Sequence, residues 1–183
     1  VSPDGRTVVF ESLGKLWTKP VAGGEPRRLV SGGGDAMEAW PSWSRDGRQI
    51  VFVSWTDAGL GTVRTVPARG GAARTVTRTP GHYASPRFSP DGRTIAFEQR
   101  EGGYLTASRG DDNPGVYLVG ADGTNQRRLP VDGRSPQFGA ASDRVFFIGS
   151  SDGKAQLVST DLAGGARRAH ATGELVNDYS ISP

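Results

Sequence analysis

Residues 88–97 read Phe88-Ser89-Pro90-Asp91-Gly92-Arg93-Thr94-Ile95-Ala96-Phe97, a tight turn followed at once by a short apolar run. Proline at the second turn position presets φ, the aspartate side chain bonds nearby backbone, and glycine ends the turn. The run after it is rich in β-branched and aromatic residues, and it is too short for a helix between Gly and Pro punctuation, so it reads as a buried strand. The unit recurs as Ser2-Pro3-Asp4-Gly5, as Ser44-Arg45-Asp46-Gly47 and, degraded, as Gly139-Ala140-Ala141-Ser142-Asp143, with Ser182-Pro183 as a last trace. Units starting at 2, 44, 89, 139 and 182 are spaced by 42, 45, 50 and 43 residues, a period that belongs to propeller blades.

Each copy supplies the same strands. The turns lead into Thr7-Val8-Val9-Phe10, Gln49-Ile50-Val51-Phe52-Val53, Thr94-Ile95-Ala96-Phe97 and Arg144-Val145-Phe146-Phe147-Ile148. A second turn follows at Ala22-Gly23-Gly24-Glu25, Ala68-Arg69-Gly70-Gly71, Ala121-Asp122-Gly123-Thr124 and Ala163-Gly164-Gly165-Ala166, and each of these opens an arginine-rich strand. A further strand precedes the first turn, as in Trp40-Pro41-Ser42-Trp43, Ser85-Pro86-Arg87-Phe88 and Ser135-Pro136-Gln137-Phe138. Two hairpins per repeat give four strands, so the expected fold is all-β, a β-propeller of four-stranded antiparallel blades with the arginines on the outermost strand. There they read as charge that blocks edge-to-edge association. The expected blades span residues 1–38, 39–82, 83–132 and 133–176, with 177–183 starting another. Either that last strand closes a four-bladed ring, or, as we prefer, the chain is four consecutive blades of a larger propeller. The opening Val1-Ser2-Pro3 in place of Met fits a fragment or mature piece.

Composition narrows the chemistry. With 183 residues there is room for one ordinary domain, and 27 Gly and 12 Pro speak for abundant turns. Cysteine is absent, which removes disulfides, thiolate metal sites and cysteine nucleophiles. No apolar run is long enough to span a bilayer as a helix. The net charge of +3 is small, and the arginines are spread along the chain rather than clustered, so no nucleic-acid partner is expected.

The repeat resembles the WD40-like (PD40) blade of the TolB family: a hydrophobic residue, Ser-Pro-Asp-Gly, a basic residue and an apolar strand, most closely at Phe88 to Phe97. A narrower stretch, Ala39 to Phe97, through Ser42-Trp43-Ser44, Val51-Phe52-Val53-Ser54-Trp55 and Thr77-Arg78-Thr79-Pro80-Gly81-His82-Tyr83, resembles the amino-terminal propeller of bacterial metal-dependent amidohydrolases. That resemblance implies a non-catalytic module of a larger hydrolase, exported to the periplasm or secreted, which packs against, positions or gates another domain. The parent's Zn or similar metal would be held outside this chain, and no cofactor is expected within it. The alternatives are a TolB-like envelope adaptor that binds proteins, or the gating propeller of a peptidase similar to prolyl oligopeptidases. The expected partner is thus another domain of the same polypeptide or an envelope protein.

Candidate catalytic residues are sparse. His82 and His170 lie 88 residues apart with no His-x-His pair, too few imidazoles for a hydrolytic metal centre. Gly149-Ser150-Ser151-Asp152-Gly153 matches the nucleophile-elbow pattern, yet it stands between two strands where that elbow needs a strand and a helix. Trp17, Trp43, Trp55 and Phe88 read as packing between blades. The longest insertion, Glu98 to Gly115, carries Tyr104, Arg109, Asp111, Asp112 and Asn113, and on a rigid propeller such a loop is the expected interaction site.

Overall fold

The computed structural model describes residues 1–102, 113–151, 153–173 and 178–181, and among them every regular element is a strand. Three sheets are four-stranded and antiparallel, with neighbours in chain order. They are β5 (Met37–Trp43) to β6 (Gln49–Thr56) to β7 (Leu60–Pro67) to β9 (Arg74–Thr75); β10 (Tyr83–Phe88) to β11 (Thr94–Gln99) to β12 (Gly115–Gly120) to β13 (Arg127–Arg128); and β14 (Arg134–Phe138) to β15 (Arg144–Ser151) to β16 (Lys154–Asp161) to β17 (Arg168–Gly173). Ahead of them a three-stranded sheet joins β1 (Thr7–Ser12), β2 (Lys15–Pro20) and β3 (Arg27–Arg28). A two-residue parallel pairing of β4 (Val30–Ser31) with β8 (Gly71–Ala72) ties this first blade to the second.

The apolar runs of β6 and β11 are continuously buried because the second and third sheets are covered on both faces. Successive side chains of a strand point to opposite sides. Along β6, Ile50 and Phe52 pack against Leu16, Leu29 and Val30 of the first blade, while Val51 and Val53 pack against Ile95, Phe97, Tyr117 and Val119 of the third. Along β11, Ala96 turns the other way, into a cluster with Phe138, Val145, Phe147 and Val158 of the fourth blade. The core is therefore three layers, one between each pair of consecutive blades. In the middle layer Phe97 meets Tyr83 edge-on at 5.1 Å and stacks on Tyr117 at 5.6 Å, both favourable aromatic geometries.

The Ser-x-Asp-Gly turns repeat atom for atom. In the third blade the Ser89 hydroxyl donates to Asp91 Oδ1 at 2.6 Å and accepts the Thr94 amide at 2.9 Å, while the Arg93 amide donates to the same Asp91 oxygen at 3.0 Å. The sets around Asp4 and Asp46 are equivalent. Gly5, Gly47 and Gly92 sit at φ of +73°, +68° and +71°, where a Cβ is disfavoured. The serine hydroxyl bond is the main reason the carboxyls of Asp4, Asp46 and Asp91 lie below the ordinary carboxylate range.

The outer strands carry their arginines largely at exposed edge positions, as expected, and the structure adds contacts between blades. β3, β9 and β13 are two residues long, and several of their arginines reach neighbouring chain. Arg74 donates to the carbonyls of Ala121 and Asp122 in the next blade's second turn, and Arg127 to Leu162 O at 2.6 Å. Arg28 forms a fork on Glu38 of the next blade, at 3.1 Å to Oε2 and 3.0 Å to Oε1. Their role is to fasten blades together, because a short edge strand lets a long side chain pass its end.

Candidate functional site

The first strand of each complete blade brings its side chains to the axis. β10 packs against both β5 and β14, so these strands lie side by side. Each carries the same defect: the residue before proline, Trp40, Ser85 or Ser135, has φ near +50°, and the pairing with the next strand shifts register there. A bulge of this kind re-aims the side chains that follow. Beyond it, Ser42 and Trp43, Arg87 and Phe88, and Gln137 and Phe138 line one pocket of about 500 Å³, with Val1, Pro3, Arg45, Pro90 and Ile181 completing its wall.

Fixed contacts shape this pocket. Arg45 spans from the second blade to Ala140 O of the fourth at 2.8 Å. The Gln137 amide holds the segment 178–181, donating to Tyr179 O at 2.8 Å and accepting from the Ile181 amide at 3.3 Å. The Tyr179 hydroxyl lies 2.7 Å from both Ser135 O and Phe146 O, and burial raises its pKa above the ordinary tyrosine value. Arg87 differs from its blade equivalents Ser42 and Gln137. Burial lowers its pKa from the usual guanidinium value, Tyr179 and Asp178 oppose that shift electrostatically, and its one hydrogen bond among the described residues runs to Pro86 O at 3.1 Å.

Of the interaction loop expected from sequence, Tyr104, Arg109, Asp111 and Asp112 lie outside the described residues. Asn113 is exposed, and its carbonyl accepts the Tyr117 hydroxyl at 2.8 Å. On the near flank Arg100 pairs with buried Glu98 at 2.8 Å and lies over the Trp40 ring at 5.4 Å. His82 packs on Trp55 at 5.0 Å in the loop before β10. Ser150 and Ser151 lie on β15, and Ser151 pairs with Lys154 of the antiparallel β16, so the stretch joins two strands. Among the described residues no three His, Asp or Glu groups gather as metal ligands. Of the aromatics expected between blades, Phe88 and Trp43 pack there, whereas Trp17 lies against Arg28 at 5.5 Å and Trp55 against His82.

One pair escaped the sequence reading. Ser159 Oγ lies 2.7 Å from His170 Nε2 across β16 and β17. The same oxygen accepts Arg144 at 3.2 and 3.0 Å, and Ser159 is 0% exposed, so no substrate reaches it. The pair is a structural clasp. The axial pocket also escaped, although Ser42, Arg87 and Gln137 stand two residues before each first turn; dissimilar side chains at one repeat position were its only trace.

Blades of this construction around an axial pocket define a β-propeller. No family model matches the chain. Among curated proteins it is 34% identical over 95 residues to the Tol-Pal system protein TolB of Francisella tularensis subsp. mediasiatica, a match covering 51% of this chain and 20% of that protein. The TolB of Francisella tularensis subsp. tularensis matches over the same length at 34%. The chain thus spans about a fifth of the length of the curated relatives it matches. Its repeats are TolB-like propeller repeats. Solved structures of similar fold include TolB from Acinetobacter baumannii, with a TM-score of 0.69 at 18% identity over 92% of this chain and 42% of that one. An oligogalacturonate lyase from Vibrio parahaemolyticus gives 0.72 at 10% identity, covering 94% and 52%, and a puromycin-hydrolyzing peptidase from Mycobacterium tuberculosis gives 0.60 at 18%, covering 90% and 30%. At these identities the likeness establishes the fold.

Proposed function

We propose that this chain is a non-catalytic propeller module that binds a protein segment, in the manner of an envelope adaptor. The observation that carries the reading is the axial pocket: three consecutive blades deliver apolar, aromatic and hydrogen-bonding side chains to one concavity whose walls are fixed by inter-blade bonds. Rigid concave sites of this size suit recognition, and the described residues offer no exposed nucleophile and base in contact. The TolB-like repeats favour a protein partner and a location in the cell envelope. The amidohydrolase parent rests on the resemblance of Ala39 to Phe97, and on that reading the partner is a hydrolase domain of the same polypeptide. The loop of residues 98–115 would supply a second contact.

Intact mass and metal content of the native polypeptide discriminate the two partners. A much larger chain with bound Zn supports the hydrolase domain, whereas a metal-free adaptor that cross-links to an envelope protein supports the first reading. Deletion of residues 104–113 is expected to lower the cross-linking yield. Hydrolysis of peptide or amide substrates by the purified chain, retained after Ser151→Ala, Ser159→Ala and His82→Ala, would overturn the non-catalytic assignment.

A further inference from the structure

Among the described residues, Arg45 and Arg87 are the charged side chains in the wall of the axial pocket, and no carboxylate lines it. Arg87 is the inner of the two. Its guanidinium carries five N–H donors, of which the described contacts engage one, on Pro86 O. Three other arginines are better matched: Arg28 with Glu38, Arg128 with Asp132 at 2.6 Å, and Arg144 with Ser159 and with Ala166 O at 2.7 Å. Among the described residues, the titratable groups that face Arg87 are Asp178 and Tyr179 of the segment 178–181, and neither is hydrogen-bonded to it. Asp178 Oδ1 accepts the Tyr179 amide at 2.8 Å, and the Tyr179 hydroxyl is held by two carbonyls. None of the Arg87 nitrogens is both buried and unpartnered, so the donors left over face the open pocket, where water or a ligand can take them.

We propose that the axial pocket binds a carboxylate of an extended acidic peptide, with Arg87 as its two-pronged anchor and Arg45 as a second cation at the rim. The proposal rests on the protein-binding reading above and gives it a chemistry. A planar guanidinium receives a carboxylate through two parallel N–H···O bonds. Val1, Phe88, Pro90, Phe138 and Ile181 add apolar wall beside the polar Ser42, Ser44 and Gln137, and this apolar part suits the aliphatic side chains that flank an acidic residue in a peptide. A sugar acid fits less well, because two of the three polar side chains its hydroxyls would need are already committed, Ser44 to Asp46 at 2.6 Å and Gln137 to the segment 178–181, which leaves Ser42.

The test uses the native polypeptide and three probes in fluorescence anisotropy and competition: a labelled, doubly capped pentapeptide with a central aspartate between leucines, its asparagine counterpart, and trigalacturonate. The aspartate peptide is expected to bind about tenfold or more tighter than the asparagine peptide, with an affinity that falls as salt rises. Arg87→Gln should erase that difference and Arg45→Gln reduce it several-fold, while Arg87→Lys should keep part of it. Unchanged thermal unfolding of each variant separates a lost ligand contact from misfolding. Equal binding of the two peptides, or indifference to Arg87→Gln, overturns the carboxylate assignment and leaves the protein-binding module intact. Trigalacturonate bound through Arg87 in place of the peptide overturns the peptide as occupant. Failure of every probe overturns the pocket proposal, and the cross-linking experiment then decides the module reading separately.

Discussion

Glu38 is the place where one side chain most directly holds two blades. It is 1% exposed, and its Oε2 accepts the Leu16 amide at 2.8 Å and Arg28 at 3.1 Å, while Oε1 accepts Arg28 at 3.0 Å. Glu38→Ala removes all three bonds. The Leu16 amide is then a buried donor without an acceptor, which costs about 1–3 kcal/mol. Breaking a fully buried ion pair costs about 3–5 kcal/mol, but the Arg28 side chain is 33% exposed and keeps its bonds to Leu16 O and Val30 O, so water and those carbonyls recover much of its share. We expect a net loss of about 2–4 kcal/mol, a fall in Tm of roughly 5–15 °C for a chain of this size. Arg28→Ala should cost more, because it strands a carboxylate that has no route to solvent. The assay is urea unfolding of the purified polypeptide followed by tryptophan fluorescence, with wild type, both single variants and the double variant closing a cycle. A loss below about 1 kcal/mol for Glu38→Ala, well under the range expected for a buried pair, or a milder effect for Arg28→Ala, would refute the reasoning.

Other consequences can be measured with the same preparation. A Cβ on Gly70 or Gly123, at φ near +88°, would meet Leu29 O at 3.0 Å or Val76 O at 3.1 Å, so Gly→Ala there is expected to cost about 1–3 kcal/mol. Gly5→Ala, at φ +73° and in open space, should lose less by the same urea titration. Because the carboxyl of Asp91 is held below its ordinary 3.8, its contribution to stability is complete above that value and is lost as pH falls through the lowered folded value. Asp91→Asn should therefore be flatter than wild type in unfolding measured from pH 4 downward. Trp43 Nε1 is buried with no partner among the described residues, so Trp43→Phe should be neutral or slightly stabilising, whereas Trp43→Ala should cost about 3 kcal/mol or more in chemical denaturation.

The blades were legible because three residue types at fixed offsets do separate jobs: Ser89 and Asp91 close the hydrogen-bond set and Gly92 takes the positive φ, so none can drift without breaking the turn. The two-sided burial of β6 and β11 was equally visible as unbroken apolar runs. The arginines were placed on the correct strands, but their bonds to neighbouring blades were not visible. Periodicity orders strands within a blade, yet it carries no information about which neighbour a long side chain reaches, as Arg74 reaches Ala121. Arg87 stayed hidden for a related reason: its equivalents are serine and glutamine, and a search for sameness discards the one position where difference matters. The long loop was found by length alone, and its tip lies beyond what the structure describes.

The glycine turns between blades work as a plug and socket. Leu29 O, Val76 O and Pro130 lie against Gly70, Gly123 and Gly164 of the following blade, so each blade offers a socket to its predecessor and a plug to its successor. A scaffold jointed this way is a one-dimensional lattice in which a glycine contact recurs at each junction. Blades can be duplicated or lost in evolution without reinventing the joint. The ring's circumference, and with it the width of its axial opening, can then change by whole units while the chemistry of each wall segment is varied independently.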